Sequence, residues 1–536
     1  MKNLYLGIDF GTTFTCISYY INNEAKVLIN EDGFYTTPSA IFFDKDDETI
    51  LFGKTATYQN NTLGTIVSNW KRIIGKTWNE LTTSEIQFFK DKSVEIVNID
   101  NIPHFKINYN KEIVHYNTLD LSILFFKYLY SLITKSLGKY NLNAVVTIPA
   151  GFSSNSRTEL IKAFTTCNFN VLKVVNEPTA AALAYESDLY NYEDILVFDC
   201  GGGTTDISLI QSDYENKIFT IKDVIGDNLL GGEDLTTNLM NYLIEKFNVK
   251  REEKSCKKLY REIENCKTFL SNNYNRDYNF NIECIKNNNE KVFDITTNIS
   301  NNLFYEVNKS VFLRVKNLLE HFIQYKVQVV LFIGGSSRFY HFKTIMKQIF
   351  PNVILIDTLD VDRAVSIGAC KYAWTLKVDE KSQNDEDDIL LLDVVPIALG
   401  IEVEGGLFET IIPRCTALPE SRTKVFTNDS DTDKLEINVY QGESRFVKNN
   451  YYLNTIIIPL DKKYQRGESK VFVEFYIDTS GVLDITVKIN EETIKTQLSR
   501  EYLSNKLPDN LDDIIHKYTV DKLLENNLAN EILDDL

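Results

Sequence analysis

Two stretches of this chain follow one pattern: Leu4-Tyr-Leu-Gly-Ile-Asp-Phe-Gly-Thr-Thr13 and Ile195-Leu-Val-Phe-Asp-Cys-Gly-Gly-Gly-Thr-Thr-Asp206. Each is an apolar strand that ends in a lone Asp and then a Gly/Thr turn. Phosphate oxygens need backbone N–H groups at close range, which glycine allows, and threonine hydroxyls add further donors. A magnesium ion needs carboxylates, or waters that carboxylates hold. Taken singly, either loop reads equally well as a plain turn after a strand. Paired in this order, they point to a clamp around one nucleotide.

Composition narrows what else the chain can do. At 536 residues it exceeds the size at which one hydrophobic core stops growing, so two or more domains are expected. Lys+Arg 57 against Asp+Glu 75 gives a formal charge of −18, which repels phosphate backbones and anionic membranes and argues against nucleic-acid or membrane partners. No apolar run is long enough to span a bilayer, and the N-terminus enters a strand without a signal-peptide pattern; the cytoplasm, or else the nucleus, is the expected compartment. The 8 cysteines show no Cys-x-x-Cys or Cys/His pairing and read as reduced, mostly buried thiols. With 5 histidines and none in a catalytic setting, chemistry falls to carboxylates, lysine, threonine and a metal.

Up to about residue 375, short β-branched strands (4–9, 144–148, 172–175, 195–199, 327–333) alternate with helical spacing (119–137, 156–166, 235–247, 342–349), which is an α/β pattern. An acidic stretch, 379–388, interrupts it, and four aliphatic residues, Ile389, Leu390, Leu391 and Leu392, follow. Beyond that plug the period switches to two, at 435–439, 471–477 and 483–489, as in an all-β sandwich. The expected division is 1–384, a linker at 385–395, a sandwich at 396–499 and a short helical tail at 500–536.

The loops, together with Val146-Thr-Ile-Pro-Ala150, Asn176-Glu-Pro-Thr-Ala-Ala-Ala182, Gly226-Asp-Asn-Leu-Leu-Gly-Gly-Glu-Asp234, Gly334-Gly-Ser-Ser-Arg338 and Leu391-Leu-Asp-Val-Val-Pro-Ile-Ala-Leu-Gly-Ile401, resemble the seventy-kilodalton heat-shock (heat shock protein 70) chaperone family, in order over about residues 1 to 490. The resemblance implies an actin-like, two-lobed ATPase domain and then a β-sandwich that binds peptides; the family's helical lid needs far more residues than follow Arg500, so a truncated or absent lid is expected as the largest departure from the family. It also implies ATP as ligand with Mg2+, and K+ as a companion ion.

Carried over by position, the resemblance gives Gly11, Thr12, Thr13 and Phe14 the first phosphate hairpin and Gly201, Gly202, Gly203 and Thr204 the second. Asp9 and Asp199 would hold magnesium through its waters, with Asp206 nearby. Lys71 would reach the γ-phosphate and Glu177 would help to place the attacking water, so hydrolysis would proceed by positioning and charge neutralisation without a covalent intermediate. Glu264, Lys267, Gly334, Gly335, Ser336, Arg338 and Asp362 match the adenosine pocket. Pro149 and Arg157 match a switch between nucleotide state and linker docking, in which Leu390, Leu391, Leu392 and Asp393 take part. Outside the resemblance, Lys71 reads as a solvated lysine, Glu177 with Pro178 as a helix start, Pro149 as a strand terminator, and Phe14 and Trp70 as packing residues.

In the sandwich, Ile401, Phe426, Leu435, Ile437 and Val482 would line a groove for an extended peptide; read from periodicity alone, they equally well belong to the sandwich core. Four aliphatic linker residues, worth roughly 1.5–3 kcal/mol each when buried, would supply the inter-domain coupling of an ATP-controlled switch. Departures from the family pattern stand at Thr205, at Thr268, and at Glu404 and Asp429, where two carboxylates would face each other over the peptide unless a basic client neutralised them or they turned into solvent. The function implied is ATP-controlled binding and release of unfolded segments, part of a stress response, with a J-domain partner and a nucleotide-exchange factor. The alternative is a specialised, possibly viral, homologue that binds ATP as an assembly or structural factor for one partner.

Overall fold

The computed structural model describes residues 2–150, 152–189, 192–213, 218–227, 229–377, 390–392, 394–395, 397–428, 430–489 and 492–497. Asp393, Asp429 and the expected tail at 500–536 lie outside them, as does most of the expected linker. The chain divides into two compact units: Met1–Ala184 with Glu215–Lys222 and Val365–Leu536, and Tyr185–Tyr214 with Asp223–Ala364.

The first unit is built on a mixed sheet in the order Phe169–Asn176, Asn141–Ile148, Asn3–Phe10, Phe14–Ile21, Glu24–Val27, with Thr36–Pro38 against Phe14–Ile21. The Asn3–Phe10 strand lies parallel to Asn141–Ile148 and antiparallel to Phe14–Ile21. Being covered on both faces, it reads as a continuous apolar run. Two three-stranded sheets, Ile50–Phe52/Ala40–Asp44/Gly64–Ser68 and Glu112–Tyr116/Ile102–Tyr109/Glu95–Ile99, flank it; their short strands give no strong period in the sequence. Helix Thr118–Leu137 starts at a capping box, in which Asn117 accepts from the Asp120 N–H and Asp120 accepts from the Asn117 N–H, each at 3.0 Å. Gly138, at φ 96°, ends it. Its inner face joins an aromatic core in which Phe126 stacks on Phe164 at 3.8 Å and meets Phe10 edge-on at 5.0 Å.

Helix Ala364–Thr375 presses against this sheet where there are no side chains in the way. A Cβ on Gly7 would strike the backbone at Ser366 and Cys370, and one on Gly368 would strike the Ala180 carbonyl. Both glycines therefore exist for close approach.

The same unit holds the period-two segment. Two four-stranded antiparallel sheets, Leu407–Ile412/Leu399–Val403/Thr432–Gln441/Tyr451–Tyr464 and Glu420–Phe426/Val471–Ile477/Leu483–Ile489/Glu492–Gln497, share one apolar core that includes Ile401, Val439, Ile458, Val473, Phe475 and Ile485. The alternation along Val471–Ile477 and Leu483–Ile489 is strict, each odd residue buried. Leu390–Leu392 forms a short strand parallel to Ile218–Thr220.

In the second unit a sheet runs Ile354–Ile356, Val329–Ile333, Asp194–Cys200, Thr205–Asp213. Helices Gly232–Lys246, Glu253–Asn272, Lys309–Glu320 and Tyr340–Ile349 accompany it around a separate core. All 8 cysteines are free thiols, with Cys284 exposed and Cys256 and Cys415 half-buried. Among the described residues no helix is long and apolar enough to cross a membrane.

Gly368→Ala is expected to lower stability by roughly 1–3 kcal/mol, the range for forcing atoms into a packed site. The measurement is a urea midpoint followed by fluorescence; a midpoint equal to the wild type's would show that the helix has slack.

Candidate functional site

In the first unit, Asp9 stands opposite Thr147 in one neighbouring strand and Cys16 in the other, at the C-terminal end of an otherwise apolar strand. Thr147 Oγ1 approaches its carboxylate at 3.5 Å. The chain then turns: the Gly11 N–H donates to the Phe14 carbonyl at 3.0 Å. The carbonyls of the turn are all taken up, Gly11 by Ser39 Oγ at 2.8 Å, Thr12 by Asn69 Nδ2 at 3.4 Å and Thr13 by the Ser39 N–H at 2.9 Å. Thr13 Oγ1 is buried and has no hydrogen-bond partner. An orphaned hydroxyl on a glycine turn fits an anion acceptor, because a group left in that state costs free energy until something accepts from it. Phe14 is 52 % exposed, so it does not serve as core packing, whereas Trp70, 1 % exposed, does.

Lys71 is not a solvated lysine. It rides on a short 3-10 turn, Trp70–Ile73, entered through Asn69 in the left-handed region at φ 61°. Its Nζ donates to Glu177 Oε1 at 2.8 Å, with only 3 % and 10 % of the two side chains exposed. The Phe10 and Phe152 rings lie 5.6 and 5.7 Å from the ammonium. Glu177 opens helix Glu177–Ala184, where its charge suits the positive end of the helix dipole.

Glu177 is also joined to a second buried cation through its neighbour. Asn176, the last residue of its strand, accepts from Arg157 Nη2 at 3.0 Å. Arg157 is 1 % exposed, and its Nη1 donates to the Ser480 carbonyl at 3.3 Å. Ser154 Oγ approaches the Gly481 carbonyl at 3.5 Å. The turn that carries Ser480 and Gly481 joins two strands of the β-rich segment, so helix Ser154–Thr166 touches that segment directly. Pro149 is buried at the end of its strand, and its carbonyl accepts from the Phe152 N–H at 3.1 Å. Asn176 opens the Asn176–Ala182 motif and Ser480-Gly481 reads as a turn between strands, but nothing in the sequence signals that Arg157 joins the two.

The second unit repeats the hairpin. Asp199 faces Asp206 across an antiparallel pair, and the Gly201 N–H donates to the Thr204 carbonyl at 3.0 Å, the same closure as Gly11 to Phe14. Helix Gly232–Lys246 holds this turn by its N-terminus: the Gly232 N–H donates to the Gly201 carbonyl at 3.0 Å and the Glu233 N–H to the Gly202 carbonyl at 2.7 Å. A Cβ on Gly231 would meet the backbone of Gly202 and Gly203 at 2.8 Å, so glycine is required there. Thr205 is fully buried and donates to the Leu230 carbonyl at 2.8 Å, which gives this departure from the family pattern a packing role. Beside it, burial pushes the Cys200 thiol up to about 12 and keeps it protonated.

The residues matched to an adenosine pocket lie together in this unit. Lys267 Nζ reaches Glu264 at 2.6 Å, Thr236 at 2.9 Å and the Gly232 carbonyl at 3.1 Å, and Glu264 also takes the Thr236 hydroxyl. A Cβ on Gly232 would run into Ser336 Oγ. Gly334 turns at φ 75° and Gly335 begins a 3-10 turn through Arg338, whose guanidinium binds Asp362 at 2.7 Å and Asp360 at 2.5 Å. Thr268 is exposed.

In the β-rich segment, Ile401 and Ile437 lie in the shared core, with Phe426 and Leu435 packed against it. Val482 is half-buried in the turn that follows Asp478, next to Gly481. Glu404 accepts both Nη2 contacts of Arg466 at 2.8 Å, with both side chains about two-thirds exposed (66 % and 64 %). The carboxylate is thus met by a cation of the chain itself, in a pair worth no more than about 1 kcal/mol at such exposure. The side chains of Leu390, Leu391 and Leu392, and all of Asp393 and Asp429, lie outside the described residues.

Lys71→Met is expected to cost roughly 3–5 kcal/mol at neutral pH, because it leaves Glu177 charged and buried without a partner. Adding Glu177→Gln should recover most of that loss, and the thermal midpoints of the single and double variants make the comparison.

The family described as Hsp70 protein matches residues 5–532. The chain is similar to a heat shock protein of Pyricularia oryzae, 29% identical over 505 residues, which cover 90% of this chain and 79% of that protein. Members of this family are ATPases that bind peptide segments and co-chaperones. The match spans both hairpins, the Lys71–Glu177 pair and the β-rich segment, and the chain belongs to the Hsp70 family.

Proposed function

We propose that this protein is an ATP-dependent chaperone in which hydrolysis controls how long an extended apolar segment stays bound to the two-sheet domain. The observation that carries the reading is the junction at Asn176 and Glu177, where consecutive residues hold Lys71 on one side and Arg157 on the other. The first cation stands two residues from Asn69, which holds the Thr12 carbonyl of the hairpin, and the second makes the contact with the two-sheet domain.

In this reading the N–H groups of 12–14 and 202–204 and the Thr13 hydroxyl donate to the phosphates, while Glu264, Lys267, Gly334, Gly335, Ser336, Arg338 and Asp362 take the nucleoside. Asp9 and Asp199, the latter paired with Asp206 across its hairpin, would hold magnesium through waters. The bound ion would supply neutralisation of phosphate charge. Lys71 is drawn from Glu177 towards the terminal phosphate, and the freed Glu177 carboxylate orients the attacking water. The same movement strains Asn176 and so Arg157, which alters the grip on the Ser480 carbonyl. Leu390–Leu392 forms the tether between the two activities, as an edge strand made or lost with nucleotide state. A J-domain partner and a nucleotide-exchange factor would set the pace.

Single-turnover hydrolysis of magnesium ATP, with and without an extended apolar peptide, tests the proposal. Peptide is expected to accelerate turnover, and Lys71→Ala to slow it roughly 10²-fold, the cost of losing one charge-stabilising donor. Replacing Leu391 and Leu392 together by Asp should preserve ATP binding and abolish the acceleration. A wild-type chain that binds ATP without any peptide-dependent turnover would overturn the reading.

Because Arg466 already meets Glu404, peptides flanked by lysine and by glutamate are expected to bind within about threefold of one another, since exposed charges contribute little. Fluorescence anisotropy with two labelled peptides of identical apolar centre reads this directly.

A further inference from the structure

Helix Ala364–Thr375 takes hold of the chain on both sides of the junction at Asn176 and Glu177. On the incoming side, Lys173 Nζ of the Phe169–Asn176 strand donates to the Tyr372 hydroxyl at 3.0 Å. On the outgoing side, Lys371 Nζ donates to the Leu183 and Ala184 carbonyls, each at 3.3 Å. Those are the last two residues of helix Glu177–Ala184, which has no basic residue in its own last turn. A lysine from a neighbouring helix therefore serves as its C-terminal cation. It satisfies carbonyls that a helix end leaves without partners of its own, and it meets the negative end of the dipole. Between these two grips, the missing side chain of Gly368 admits the Ala180 carbonyl.

The same helix is tied to the two strands that meet at the first hairpin. Ser366 Oγ and Ser18 Oγ lie 2.8 Å apart, and Ser366 Oγ approaches Cys16 Sγ at 3.2 Å. Cys16 pairs with Asp9 across the strands, and the close backbone approach at Gly7 lies two residues before Asp9. One helix thus reaches from the strand that carries Asp9 to the strand and helix that meet at Glu177. Helix Glu177–Ala184 has 8 residues and is about 12 Å long at 1.5 Å per residue. Over two turns it moves as one piece, so a hold on its last carbonyls is also a hold on Glu177.

We infer that Lys371 and Tyr372 are positioning residues for hydrolysis, which brace the strand-to-helix junction so that the Glu177 carboxylate keeps its place when Lys71 is drawn away. The inference rests on the reading above, in which Glu177 orients the attacking water. A braced junction lets Lys71 leave without its partner. With the brace removed, the helix drifts after the departing ammonium, and the carboxylate no longer stands where the water needs it. Neither residue belongs to a phosphate hairpin or to the nucleoside pocket, so ATP affinity is preserved.

The test uses the full chain with magnesium ATP and compares single-turnover hydrolysis at saturating ATP with the Kd for ATP. Lys371→Met removes the charge and keeps the length. Hydrolysis is expected to slow roughly tenfold, less than the 10²-fold that a 1 Å misplacement costs, with Kd unchanged within about twofold. Lys371→Arg, which keeps the cation, should restore most of the rate. In a Glu177→Gln background, Lys371→Met should have no further effect, because the carboxylate it positions is already gone. A general structural defect would instead slow both backgrounds alike. Should Lys371→Met fail to fold, Tyr372→Phe, which deletes one hydroxyl, takes its place with the same expected direction. A wild-type rate in Lys371→Met, a Kd that rises in step with the loss of rate, or an equal loss in the Glu177→Gln background would overturn the inference. Glu177→Gln hydrolysing at the wild-type rate would overturn the functional reading instead. The nucleotide-free chain would then decide the brace: Lys71→Met should lower the thermal midpoint less in the Lys371→Met background than in the wild type, and an equal drop would overturn it.

Discussion

A buried ion pair one residue away from a buried guanidinium is the constraint on which the first unit turns. Lys71 and Glu177 lie almost wholly out of water at 2.8 Å. Neither charge is tolerable there without the other, because the cost of removing an ion from water is offset only by a close opposite charge. Glu177 sits where strand becomes helix, so its position is set by the backbone and not by a flexible stem. Asn176, immediately before it, is equally fixed and holds Arg157. In the proposed function, a demand on Lys71 from a phosphate would pass over one peptide unit to a residue that touches the Ser480–Gly481 turn. No long pathway is needed; two polar contacts share one stiff piece of chain.

The hairpins illustrate a different constraint, that of close backbone approach. Gly11 and Gly201 make the same closing hydrogen bond at 3.0 Å in two separately built units. In the second unit the turn is held from behind by the first N–H groups of a helix, and Gly231 is the residue that admits the contact. In the first unit the corresponding support comes from Ser39 and Asn69 side chains. One turn geometry is thus supported by two unrelated means, which is why the repeated sequence is confined to the strand and turn.

The β-rich segment shows how a periodic pattern underdetermines a role. Ile401 and Ile437 obey the alternation and are spent on the shared core. Glu404, whose charge looked unmatched along the chain, is met by Arg466 from a distant turn. Gln441 is the reverse: an unremarkable residue in the sequence, it is 2 % exposed and its Oε1 meets no donor among the described residues.

Much of the architecture was legible because it depends on local order. Helix Thr118–Leu137 and strands such as Asp194–Cys200 and Leu483–Ile489 follow from hydrophobic period and caps, and the two Asp–Gly turns announce themselves by composition. The small sheets over residues 40–68 and 95–116 were not legible, since strands of three to eight residues stabilised by neighbours carry little period of their own. The burial of Lys71, the bridge from Arg157 to Ser480 and the cation facing Glu404 were equally hidden, as each joins residues far apart in the chain. The sequence by itself determined where the two Asp–Gly turns fall and which segments alternate as strands, because turn composition and periodicity are local properties. Tertiary structure alone decided which charges are buried together and which turn meets which helix, because burial and pairing depend on what the rest of the chain brings alongside.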